Sequence, residues 1–335
     1  MKRSTKIILL LAILAALVAG ILLVRKWTAQ GEVEETASVP VYSTDSASIQ
    51  RLTWTYNNET VSFSRDGENW VYEDDSEFPT DASYLDAMTS TLASIEADRV
   101  IDDPGDLAQY GLEDPICSLT VETASGTATL QFGDENTISS ERYLTNGDGK
   151  VYLVKAEILS SFSYNLLDVV KKEAVPEMQN VSRFVIRRAE DTLTLVYTEQ
   201  EETGSASASD AGTTKETGTS GTWSVETDGT QTEVDNAKAV QLKNNVVYLS
   251  WLKCVSYKAS ESELEEYGFL PEPAVSAEIQ YSDSEGTAQT FTLELGNYTG
   301  DYCYARIAGS QMVYLVKASI AQNLLSATAE TLAAS

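Results

Sequence analysis

One half of this chain is written again in the other half. Leu107-Ala108-Gln109-Tyr110-Gly111-Leu112 returns as Leu264-Glu265-Glu266-Tyr267-Gly268-Phe269, and Val151-Tyr152-Leu153-Val154-Lys155-Ala156 returns almost unchanged as Val313-Tyr314-Leu315-Val316-Lys317-Ala318. Between these pairs Leu130-Gln131-Phe132-Gly133 matches Leu293-Glu294-Leu295-Gly296, and after them Asn165-Leu166-Leu167 matches Asn323-Leu324-Leu325. Four matches in one order point to a duplicated structural unit, and a repeat of this length decides architecture before any local propensity is weighed. Tyr110, Gly111, Gly133 and Tyr152, with Tyr267, Gly268, Gly296 and Tyr314, are its structural landmarks.

Upstream, Arg51-Leu52 aligns with Arg183-Phe184 and Trp70 with Trp223, but the spacing is longer in the second copy. The extra residues are the Thr, Ser, Ala and Gly run at about 200–222, whose small polar side chains cannot repay the entropy of ordering them. The expectation there is a disordered insertion. Within each copy, Ile49–Tyr56 and Thr60–Ser64 alternate apolar and polar residues about Asn57-Asn58, which reads as a hairpin. Tyr84, Leu85, Met88, Leu92 and Ile95 share one helical face over residues 80–95, with a counterpart over 235–252. Two further hairpins turn at Ser125-Gly126 and at Asn146-Gly147-Asp148-Gly149, and a closing helix is expected over residues 156–170. The expected fold class is therefore α+β: an N-terminal transmembrane helix followed by two homologous units, each a mostly antiparallel sheet with two helices.

Ile7 to Val24 holds 18 residues without a charge, enough helix to cross a bilayer core about 30 Å thick. Lys2, Arg3 and Lys6 precede it, and Arg25 and Lys26 follow, which favours a cytoplasmic N-terminus and an extracytoplasmic remainder. The run ends Leu22-Leu23-Val24-Arg25, a poor cleavage context, so an uncleaved anchor is expected over a secretory signal. The expected organisation is a cytoplasmic stub and membrane helix at 1–27, a linker at 28–47, a first unit at 48–178 and a second at 179–335.

The Tyr-Gly-Leu turn before Pro115, the strand closed by Phe132-Gly133, the Val151–Val154 strand and Asn165-Leu166-Leu167 together resemble the repeat called domain of unknown function 4340. The resemblance covers most of the chain after about Ser48. It implies a bacterial surface or envelope protein accompanying ABC-transporter-type subunits, with no established activity and no catalytic residues to carry over. Glu272-Pro273 and the long insertion set the second copy apart.

Little chemistry is available. Histidine is absent, which removes the commonest general base and the partner of a serine or cysteine nucleophile. With 51 acidic residues against 23 basic and a formal charge of -28, the chain repels phosphate backbones, and no nucleic-acid partner is expected. Cys117, Cys254 and Cys303 stand far apart outside any zinc spacing and read as buried small hydrophobes. Glu73-Asp74-Asp75 and Asp102-Asp103 read as solvated faces and turn caps, and Asn146–Gly149 lacks the rest of a calcium loop. No cofactor, metal or catalytic residue is assigned. Tyr298, Tyr302 and Tyr304 form a candidate interaction surface for a sugar or protein. The functional expectation is a non-enzymatic, membrane-anchored extracytoplasmic binding or scaffold protein, with envelope partners such as transporter subunits. A carboxylate-dependent envelope hydrolase and a passive spacer stand as alternatives.

Overall fold

The computed structural model describes residues 38–200 and 220–334. Strands come first in chain order as β1 Val39–Tyr42, β2 Ile49–Tyr56, β3 Glu59–Asp66, β4 Asn69–Tyr72, β5 Ile95–Ala97, β6 Arg99–Ile101, β7 Cys117–Thr123, β8 Gly126–Asn136, β9 Glu141–Thr145 and β10 Val151–Lys155. The later strands are β11 Gln179–Arg188, β12 Thr192–Gln200, β13 Ser220–Thr227, β14 Thr230–Glu233, β15 Lys253–Ser256, β16 Val275–Ser282, β17 Ala288–Thr299, β18 Tyr302–Ile307 and β19 Val313–Lys317. Five short helices accompany them: α1 Ala82–Leu92, α2 Asn236–Val247, α3 Glu261–Glu266, α4 Ala318–Ser326 and α5 Ala329–Leu332.

The strands form an eight-stranded sheet ordered β4-β3-β2-β7-β8-β9-β10-β6 and a nine-stranded sheet ordered β14-β13-β12-β11-β16-β17-β18-β19-β15, with β1 and β5 paired apart. The pairings described between them are antiparallel. Apart from the extra edge strand β14, the two large sheets have one strand order. By compactness, the described chain divides into a unit of residues 38–62 and 86–163 and a unit of residues 63–85, 164–200 and 220–334.

The expectation of α+β units with two helices apiece is corrected by this architecture: 45% of the described residues are in strands and 21% in helices, so the fold is mostly β. The closing helix expected over 156–170 is two 3-10 turns, Ala156–Ser161 and Leu166–Asp168. Phe162 between them is fully buried, with its ring 5.5 Å from Phe132, and a continuous helix is broken where that ring turns inward. The Ser160 hydroxyl donates to the Glu157 carbonyl, and the Asp168 carboxylate accepts from the Asn165 N–H, so local side chains take bonds that a helix would have used. Ile95, the expected last residue of the first helix, instead opens β5, and β6 follows it.

The transmembrane helix of that expectation falls on residues 7–24, outside the described residues, and no helix among those described is long and apolar enough to cross a membrane. β1 lies within the stretch read as a linker. The expected insertion also lies outside the described residues except at its ends, where Gln200 pairs with Ser220.

Local chemistry accounts for most elements. Asn57 and Asn58 both adopt positive φ, 51° and 62°, the geometry of a tight two-residue hairpin turn. β16 alternates without fault, burying Val275, Ala277, Ile279 and Tyr281. Helix α1 buries Leu85, Met88 and Leu92, and α2 buries Ala239, Leu242 and Val246, each set one helical stripe. The Asp235 carboxylate caps α2 by accepting from the Ala237 and Lys238 amides. All three cysteines are free and buried.

Candidate functional site

Each large sheet carries the same clasp at the sequence landmarks. A short helical turn, Leu107–Tyr110 in one case and α3 in the other, runs into a glycine with left-handed backbone, Gly111 at φ 69° and Gly268 at φ 84°. That conformation costs other residues free energy and lets the chain reverse at once. The carbonyl of the preceding tyrosine is then laid on a strand glycine. A Cβ at Gly133 would lie 2.1 Å from the Tyr110 carbonyl oxygen, and a Cβ at Gly296 would lie 2.1 Å from that of Tyr267. The Leu112 amide donates back to the Leu107 carbonyl, and the Phe269 amide to that of Leu264.

The clasp tyrosines then meet a tyrosine on the next strand. Tyr110 lies 4.9 Å from Tyr143, and Tyr267 lies 4.6 Å from Tyr304, both tilted. Around the second pair sits a small core of Ala259, Leu264, Phe269 and Val313, against which Tyr267 and Tyr304 pack. The Arg306 guanidinium lies 4.8 Å from the Phe269 ring and is paired with Glu294 at 2.6 Å. In the other sheet the Arg142 guanidinium donates to the Gly133 carbonyl at 2.7 Å, and Arg99 pairs with Glu141. The strand after each clasp differs: Asn297 donates to the Tyr267 carbonyl through its backbone and to Glu266 through its side chain, where Asp134 stands in the first sheet.

Tyr152 and Tyr314 occupy matching strands but hold different partners. The Tyr152 hydroxyl donates to Asp148 at 2.5 Å, and burial together with that carboxylate pushes the phenol up to about 12. Tyr314 is fully buried and stacks on Trp251 at 4.3 Å. Its hydroxyl accepts from the Glu173 amide at 2.8 Å and donates to the Glu173 carboxylate at 3.2 Å, while Trp251 donates to the Glu173 carbonyl. Burial raises this phenol also. Burial likewise raises the thiols, Cys117 to about 12 and Cys254 and Cys303 to about 11. These groups hold their protons at neutral pH and are not poised as nucleophiles. Among the described residues, no three Cys, Asp or Glu side chains gather to hold a metal.

Of the tyrosines read as an interaction surface, Tyr298 and Tyr302 are exposed, and Tyr304 is turned into the clasp. The register pairs Tyr298 with Cys303 and Thr299 with Tyr302, so Tyr298 lies on the Cys303 side of the sheet while Tyr302 and Tyr304 share the other. No ring contact joins the three. A concave feature lies elsewhere, lined by Tyr197, Trp223 and Lys243, which no spacing in the sequence brings together. The only trace was the Trp70–Trp223 match.

Compared with known proteins, residues 70–269 match a family model described as Domain of unknown function (DUF4340). The match runs from the strand carrying Trp70 to the turn of Tyr267-Gly268-Phe269. No curated protein and no solved structure matches.

Proposed function

The chain belongs to the domain of unknown function 4340 family, and from that premise we propose that it is a membrane-attached extracytoplasmic binding or scaffold protein, accessory to a transporter-like envelope assembly. The observation that carries this reading is the shared strand order of the two large sheets, each with its Tyr-Gly clasp. A duplicated module whose landmark residues serve backbone packing offers two related surfaces to a partner. We propose that the two sheets arose by duplication of one unit. Membrane attachment rests on the apolar run Ile7–Val24 and its basic flanks. The charge of -28 suits a soluble exterior that repels anionic polymers.

The test is crosslinking in intact cells followed by identification of the captured proteins, with protease added outside the cell in parallel. Recovery of transporter-type membrane subunits and cleavage by external protease are expected. Recovery in the soluble cytoplasmic fraction, protected from protease and crosslinked to no envelope protein, overturns the proposal.

A further inference from the structure

The antiparallel register sets Arg65 opposite Trp70 on β3 and β4, and Tyr197 opposite Trp223 on β12 and β13. The two tryptophans stand at matching positions in sheets of one strand order, yet they are covered differently. The Arg65 guanidinium lies 4.5 Å from the Trp70 ring centre, filling the space above it with a cation and its alkyl stem. At Trp223 the covering residue is Tyr197, its ring 5.3 Å away and tilted by 50°. The strand no longer supplies a cation there, although Trp223 is as deeply buried as Trp70.

Beside this ring pair lies a cavity of about 490 Å³ between β11, β12, β13 and α2, within the size range of small-molecule sites. Tyr197, Trp223, Val181 and Val240 supply apolar wall, and α2 contributes one cation, Lys243. Lys243 sits on the stripe beside buried Leu242 and Val246 and is itself half-buried. It makes no ion pair or side-chain hydrogen bond among the described residues, and Glu199, also on the lining, does not pair with it. Burial lowers its pKa. An ammonium partly drawn from water and unpaired among the described residues is a cost that an incoming anion offsets by a charge-assisted hydrogen bond.

We propose that this cavity binds a small carboxylate carrying an aromatic or apolar body, the carboxylate on Lys243 and the body against Tyr197 and Trp223. The proposal stands apart from the envelope reading, since it depends on no membrane or partner, and either can fail alone. The probes are phenylacetate and its neutral isostere phenylacetamide, titrated into the full-length protein and followed by calorimetry and tryptophan fluorescence. Phenylacetate binds saturably and phenylacetamide at least about tenfold more weakly, a difference of about 1.4 kcal/mol. Lys243→Gln lowers phenylacetate affinity to that of the amide, and Lys243→Arg, which keeps the charge, retains the preference. Tyr197→Arg, which transplants the Arg65 arrangement, fills the cavity and abolishes binding of both probes. Equal affinity for the two probes, no saturable binding of phenylacetate up to about 10 mM, or unchanged preference in Lys243→Gln overturns the proposal. Melting curves of each variant identify any that fail to fold. If Lys243→Gln is one of these, the Lys243→Arg and Tyr197→Arg pair decides, and loss of preference in the first or retained binding in the second is equally fatal.

Discussion

Replacing Gly296 with alanine isolates the clasp. The added methyl would stand 2.1 Å from the Tyr267 carbonyl oxygen, about 1.2 Å short of the closest ordinary carbon–oxygen approach of ~3.3 Å. The colliding atom is backbone, so no side-chain rotation relieves it. Either β17 or the turn after α3 must shift, and the shift stretches the bond from the Asn297 amide to the Tyr267 carbonyl, now 2.7 Å, and loosens the Tyr267–Tyr304 ring pair. Overpacking of this kind costs about 1–3 kcal/mol, and a weakened hydrogen bond adds about 1 kcal/mol, for a total of about 2–4 kcal/mol. At roughly 2–4 °C per kcal/mol for a unit of this size, the melting temperature falls by about 4–16 °C. Gly309→Ala is the control: a Cβ there meets nothing within 4 Å, but its φ of 80° imposes strain of about 1–2 kcal/mol. The assay is thermal and urea denaturation followed by near-ultraviolet circular dichroism. If Gly296→Ala melts within about 1 °C of the parent, or no lower than Gly309→Ala, the steric account of the clasp is wrong.

The other expectations are briefer. Gly133→Ala meets the Tyr110 carbonyl at the same 2.1 Å and destabilises by a similar amount, checked in the same denaturation series. Asp235→Ala removes the acceptor of two amides at the start of α2 and costs about 1 kcal/mol, read from the urea midpoint, whereas Asp235→Ser retains most of it. Glu173→Ala deprives the buried Tyr314 hydroxyl and Ser310 of their carboxylate acceptor, costing about 1–3 kcal/mol and altering Trp251 emission. The Tyr152 hydrogen bond, the largest influence on Asp148, holds that carboxyl below its usual range. Its stabilising share is therefore present above about pH 4 and lost as pH falls through the lowered folded value. Tyr152→Phe flattens this acid limb of the stability–pH curve, and an unchanged limb would refute the assignment.

Much of the fold was legible because it is written in neighbours. Asn57-Asn58 and the residues alternating about it specify a hairpin by turn chemistry, and Leu85, Met88 and Leu92 specify a helix by spacing, so each needs only a few adjacent positions. β6 and β15 were missed because they are three- and four-residue edge strands whose only partners, β10 and β19, lie dozens of residues away. The closing helix over 156–170 was misread because its apolar spacing suits a helix, whereas the first 3-10 turn stops at Phe162, which is fully buried with its ring 5.5 Å from Phe132. Of the candidate site residues, the glycines were found by repetition. Tyr304 was read as surface because period-two alternation does not say which side of a sheet a second small core will cover.

The sequence by itself settled the order of landmarks and the family, since repeated motifs survive as strings whatever their surroundings. It also settled the absence of histidine chemistry, because a missing residue type is missing in every conformation. Only the tertiary structure decided that the fold is mostly β, that the glycines lie beneath tyrosine carbonyls, and that Lys243 shares a cavity with Trp223 and Tyr197. Those are facts of approach between residues distant in the chain. Strand register and the crossing of a helix over a sheet set them, and neither is encoded in any short run of residues.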